Sequence, residues 1–173
     1  PIFTTPATLD LVDVLLKDSA HIQETDFERS TQRASKPNGR HRHHKIMPPL
    51  YTLRDVNHCL RLFHTVDYDT EFSPHASVKV RFRDAGHILG SAILEVWLTD
   101  EQGRTRKLVA SGDLGQPGRP ILRDPTPIDS ADVLLIESTY GDRLHKDMPS
   151  TLDELVEVVQ RTVEGQCGDS RLR

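Results

Sequence analysis

Three polar residues sit in surroundings that could support chemistry: His87 in "DAGHILGSA" (84–92), Asp113 in "SGDLG" (111–115) and Glu137 in "LLIESTYGDRLH" (134–145). His87 lies between Gly86 and Gly90, and Asp113 between Gly112 and Gly115. Glycines there permit tight bends and let backbone approach a ligand closely. A neutral imidazole with a carboxylate is a donor pair that zinc accepts, and one carboxylate can bridge two ions about 3.5–4 Å apart in a hydrolytic centre. The same residues also fit a plain reading, a histidine at a strand end and an Asx turn. Spacing alone leaves both open.

These residues need strands that end together. Val78, Val80 and Phe82 alternate with Lys79, Arg81 and Arg83, which is the period of a half-buried strand over 77–83. Strands over 91–99 and 106–111, folded near Gln102 and Gly103, form a hairpin that sets Ala92 roughly opposite Asp113 and brings His87 to the same end. "ADVLLIES" (131–138) predicts a strand buried on both faces, ending at Glu137. Asp84 is expected to support the His87 loop by accepting from backbone N–H groups or the imidazole.

Around this meander, Thr5 and Pro6 predict a helix start, with the helix running over 6–23. Residues 25–49 read as a loop, with Arg29, Arg33, Lys36, Arg40, Arg42 and Lys45 and no acid between 29 and 45. "HRHHK" (41–45) reads as part of that solvated loop. Thr52 and Asp55 make a capping box for a second helix with Val56, Leu60 and Phe63 along its apolar stripe. A last amphipathic helix is expected from a Ser150 cap to a Gly165 stop. Trp97 reads as core or sheet surface.

The 173 residues, 36% hydrophobic and 28% charged, fit one ordinary globular domain. No apolar run approaches the roughly 18–20 residues of a membrane span, so no membrane partner and a soluble, cytoplasmic protein are expected. A net charge of −4 argues against coating nucleic acid by charge alone. Cys59 and Cys167 are far apart and support neither a disulfide framework nor a cysteine zinc site.

Taken in order and with these separations, "DAGHILGSA", "SGDLG" and "LLIESTYGDRLH" resemble the third and fourth motifs of the metallo-β-lactamase superfamily followed by the first motif of its β-CASP nuclease branch. "IFTTPAT" (2–8) and "LYTLRDV" (50–56) also resemble segments of that family, so the likeness covers nearly the whole chain. The branch most resembled holds the messenger-RNA 3′-end processing endonuclease and its bacterial and archaeal relatives. The resemblance implies an α/β fold, part of an αββα sandwich, with 1–145 as a partial metallo-β-lactamase domain and 146–173 as the first helix of a β-CASP domain.

It further implies that His87 ligates one zinc ion (Zn2+), that Asp113 bridges two, and that Glu137 is the acidic residue orienting a general-acid histidine. The implied reaction is phosphodiester hydrolysis by a metal-activated water, on single-stranded RNA or alternatively DNA. His145 and Tyr140 are further candidates near that motif. The family's His-x-His-x-Asp-His signature is expected upstream of "IFTTPAT", so the sequence reads as a piece of a longer protein, truncated at both ends. With two ligands present, the piece is expected to be inactive alone and to self-associate through faces the missing strands would cover. A small-molecule hydrolase of the same superfamily and a non-catalytic scaffold paralogue are the rival readings.

Overall fold

The structure is a computed structural model that describes residues 1–34, 46–143 and 148–163. Two compact units are present, 1–137 and 138–173. The first opens with strand β1 (Ile2–Thr4), helix α1 (Pro6–Ala34), helix α2 (Leu53–Leu60) and strand β2 (Phe63–Thr65), and continues as strands β3 (Glu71–His75), β4 (Val78–Asp84), β5 (Ala92–Thr99), β6 (Thr105–Ala110) and β7 (Val133–Leu135). The second contains helix α3 (Met148–Val163). Among the described residues no helix is long and apolar enough to cross a membrane.

α1 starts where Thr5 and Pro6 predict: the Thr5 hydroxyl accepts from the Thr8 amide at 3.3 Å. It runs eleven residues beyond the expected 23. Residues 24–34 lack an apolar stripe, yet they contain neither Gly nor Pro, and the first breaker is Pro37. A solvated helix end needs no stripe, and 28–34 are all exposed. The remaining basic positions and "HRHHK" lie outside the described residues.

α2 has the expected capping box, Thr52 accepting from the Asp55 amide while the Asp55 carboxylate accepts from the Thr52 amide. The Thr52 hydroxyl also donates to the Asp55 carboxylate at 2.7 Å, and this bond, with that from the Thr52 amide, holds the Asp55 pKa below its usual value. The helix is shorter than its stripe implied. Phe63 begins β2, which pairs in parallel with β1. Phe3, Phe72 and Phe82 then form an aromatic chain, with ring centroids 4.9 and 5.3 Å apart, from this small sheet to the larger one.

The larger sheet has the order β3-β4-β5-β6-β7, an antiparallel meander closed by β7 parallel to β6. Pro74 sits on edge strand β3 at a register shift, where a missing amide costs the ladder least. On β4, Val80 and Phe82 are buried as the alternation requires, each side chain worth about 1.5–3 kcal/mol when fully withdrawn from water. On the opposite face Ile93, Val109 and Ala85 form a core cluster with Leu114 and Ile128 packed on it.

Buried Glu95 lies on that face beside Arg81 (2.7 Å) and Lys107 (2.6 Å). Both cations also stack on Trp97, 5.2 and 5.4 Å from the ring centre, which places that tryptophan on the sheet surface. Burial alone would raise the Glu95 pKa, but the hydrogen bonds and charges of Arg81 and Lys107 together outweigh it and hold the carboxyl below its ordinary range.

Two expectations about the sheet are corrected, the hairpin register by one position. The β5–β6 turn spans Asp100–Arg104, with the Asp100 side chain accepting from the Gln102 and Arg104 amides, so Leu94 pairs with Ala110 and Ala92 comes opposite Gly112 instead of Asp113. And β7 is not buried: Val133, Leu134, Leu135 and Ile136 are all exposed. It is the last strand of the sheet. In the second unit α3 begins at Met148, two residues ahead of the expected Ser150 cap, and its Leu152, Leu155, Val156 and Val159 are exposed.

Candidate active-site rim

Three strand ends meet at one edge of the sheet. β4 runs into the loop carrying His87, β6 into the loop carrying Asp113, and β7 into Glu137. The first two loops touch through their backbones. The Gly115 amide donates to the Ala85 carbonyl at 2.9 Å, and a Cβ on Gly115 would fall 1.6 Å from the Gly86 carbonyl oxygen. Only glycine admits so close a pass.

The second and third are joined by Ser111 and Glu137. The Ser111 amide donates to the Leu135 carbonyl at 2.9 Å, and the Ser111 hydroxyl accepts from the Glu137 amide at 3.1 Å. The Glu137 carboxylate accepts from the Leu114 amide, next to Asp113, at 2.5 Å. Glu137 thereby ties the Asp113 loop to the segment that follows β7.

The His87 loop is built from several directions. Gly86 (φ 64°) and Gly90 (φ 89°) take left-handed conformations. The Asp84 carboxylate accepts from the Gly86 amide at 2.9 Å, the backbone support expected of it. On the other side the hydroxyls of Thr5 and Thr8 donate to the Gly90 carbonyl at 2.9 and 2.7 Å, so the first turn of α1 anchors the loop. Tyr68 donates its phenol to the Ser91 carbonyl at 2.7 Å. Burial, reinforced by the Asp84 charge, raises the Tyr68 pKa and keeps that donor protonated.

His87 and Asp113 are both exposed on these adjacent loops, while Glu137 is half-buried. Tyr140 lies in the second unit, its ring under the Arg143 guanidinium at 4.9 Å. His145 is outside the described residues. The rim's donor chemistry, imidazole and carboxylate, suits zinc; its number does not. Among the described residues no group of three or more His, Cys, Asp or Glu could hold a metal ion, whereas zinc takes four donors.

Residues whose part in holding the His87 loop the sequence did not reveal are Thr5, read only as a helix start, and Thr8, Tyr68 and Ser91. Ser91, four after His87 and directly after a glycine, carried a local signal for a hydroxyl-closed turn. Thr5 and Thr8 carried none, because their partner is more than eighty residues away.

A mixed sheet with helices, ending in three joined loops at one edge, is consistent with a partial metallo-β-lactamase/β-CASP fold. Comparison with known proteins agrees. A ribonuclease of Thermus thermophilus is 29% identical over 163 residues, 94% of this chain and 31% of that protein. An RNase J-like protein of Methanocaldococcus jannaschii is 34% identical over 117 residues, 66% of this chain and 27% of that protein. The transcription termination factor FttA of Pyrococcus horikoshii is 29% identical over 167 residues, 95% of this chain and 22% of that protein. The chain is related to these metallo-β-lactamase/β-CASP nucleases, and it spans less than a third of their length. No protein-family model matches it.

Proposed function

We propose that this chain is part of a metal-dependent nuclease that hydrolyses RNA phosphodiester bonds. The observation that carries the reading is the joining of the three loops, the Gly115 amide to the Ala85 carbonyl and the Leu114 amide to the Glu137 carboxylate, which sets His87 and Asp113 on neighbouring segments. The printed names of two relatives, a ribonuclease and an RNase J-like protein, support RNA as the substrate class.

In this reading His87 and Asp113 are zinc donors, completed by groups outside the described residues. Bound zinc would supply a water acidic enough to attack a phosphodiester near neutral pH. The chain's own contribution is placement. Glu137 holds the Asp113 loop through the Leu114 amide, and Asp84 holds the His87 loop through the Gly86 amide.

The test uses the full-length protein that contains this sequence. His87→Ala and Asp113→Ala should each lower zinc content and reduce cleavage of labelled single-stranded RNA by at least about 100-fold. Undiminished cleavage in either variant refutes the assignment. Turnover of a thioester in place of RNA would instead point to a small-molecule hydrolase, and intact protein inert on both to a scaffold.

A further inference from the structure

The tip of the loop carrying His87 gains little from burial. Ile88 and Leu89 are 52% and 65% exposed, and a cavity of about 240 Å3 lies against them, walled also by Tyr68, Leu122 and Arg123. What fixes the loop's path is polar, and most of it meets at one residue. The Ser91 hydroxyl oxygen accepts from the amides of His87 at 3.2 Å and Ile88 at 3.3 Å. The Ser91 amide donates to the Ile88 carbonyl at 3.1 Å. The Ser91 carbonyl accepts from the Tyr68 phenol at 2.7 Å and the Ala85 amide at 3.3 Å.

The geometry at the hydroxyl has a specific effect. A serine oxygen offers two lone pairs, and here both receive amides of consecutive residues. Those amides belong to the peptide planes on either side of the His87 α-carbon. Fixing both planes fixes φ and ψ of His87, and these determine which side-chain rotamers it can adopt. The hydroxyl therefore acts on one residue's direction more than on the loop's overall stability.

We propose that Ser91 is the positioning residue of His87: its hydroxyl sets the His87 backbone and so the direction in which the imidazole leaves the loop, while the Tyr68 phenol steadies Ser91 from behind. The consequence for zinc rests on the reading of His87 as a donor; the effect on the loop does not. Partners of this kind, which orient a ligand without touching the metal, typically change metal affinity by about 10–100-fold.

The experiment compares Ser91→Ala, Ser91→Thr and Tyr68→Phe in the full-length protein, by amide hydrogen exchange over residues 85–92 and by zinc retention against a competing chelator. Ser91→Ala should speed exchange at His87 and Ile88 about 5-fold or more, with β4 and β5 amides unchanged. It should weaken zinc retention about 10–100-fold. Ser91→Thr, which keeps the hydroxyl, should restore both, and Tyr68→Phe should shift both in the Ala direction by less. Unchanged exchange in Ser91→Ala, or equal losses in Ala and Thr, overturns the proposal. If wild-type protein retains no zinc, the functional reading fails, and exchange alone decides this one by the same criteria. If Ser91→Ala does not fold, Tyr68→Phe decides: faster exchange at His87 and Ile88 upholds the proposal, and wild-type exchange rejects it.

Discussion

The Leu114 amide donates to the Glu137 carboxylate at 2.5 Å, binding the residue after Asp113 to the end of a strand 23 positions downstream. A backbone donor paired with an ionised acceptor is among the stronger hydrogen bonds. Glu137→Ala should leave that amide unpaired and cost about 1–3 kcal/mol, while Glu137→Gln, which still accepts, should cost less. Urea denaturation of the full-length protein measures the first, and hydrogen exchange at Leu114 localises it. Equal, negligible costs would mean the contact is dispensable.

Gly115 should tolerate no side chain. The oxygen that its Cβ would meet belongs to backbone, so relief requires moving the Gly86 peptide. Gly115→Ala should destabilise by about 3 kcal/mol or more. Gly103→Ala, with nothing within 4 Å and only a positive φ to oppose it, should cost about 1–2 kcal/mol. Thermal denaturation of the two variants side by side tests the ranking.

Glu95 should make stability depend on pH in the acid range. Its folded pKa lies below the ordinary value of 4.5, so its contribution is complete above about 4.5 and fades as pH falls through the folded pKa. Glu95→Gln leaves Arg81 and Lys107 without their shared anion and should cost about 3 kcal/mol at pH 7. The gap between wild type and variant should then shrink as pH is lowered from 5 toward 3. A constant gap would show that Glu95 is not linked to folding as an anion.

The 173-residue chain by itself should not cleave RNA. Under the proposed reading His87 and Asp113 supply two donors where zinc takes four, and among the described residues no group of three or more His, Cys, Asp or Glu could hold a metal ion. Incubation with zinc and end-labelled single-stranded RNA should leave the substrate intact. Multiple turnovers would refute the dependence on donors from elsewhere.

The same chain should self-associate. Leu94 and Leu135 share a row across β5, β6 and β7, Val133 lies in the neighbouring row, Leu98 extends the face along β5, and all four are exposed. A continuous apolar sheet face of this kind drives association in water. Light scattering should show mass rising with concentration, and Leu98→Lys with Leu135→Lys should abolish the rise. A constant monomer mass in the unmodified chain would refute it.

Much of this architecture is visible in the residues because it is local. Alternation over Val78 to Phe82, the Thr52–Asp55 cap and the Thr5–Pro6 start each depend on spacings of one to three positions, and each is found as read. Local reading failed where the outcome was decided by something absent from the segment. Four apolar residues from Val133 to Ile136 describe what a strand would bury, but whether anything covers it depends on other parts of the chain. Residues 24–34 lack a stripe, and a solvated helix has no need of one. The rim was half legible. The glycines around His87 and Asp113 announced close backbone passage, while the hydroxyls that pin Gly90 come from a helix no local pattern connects to it.

The anchoring of Gly90 by Thr5 and Thr8 also orders events in time. These hydroxyls leave the ribosome 85 and 82 residues ahead of the carbonyl they bind. Helix α1 can therefore form early but must wait for most of the meander before its first turn has a partner. Long-range closures of that kind are slow. A chain elongated only to residue 89 could already pack α1 on α2, yet the Thr5 and Thr8 hydroxyls would still lack the carbonyl that they later hold.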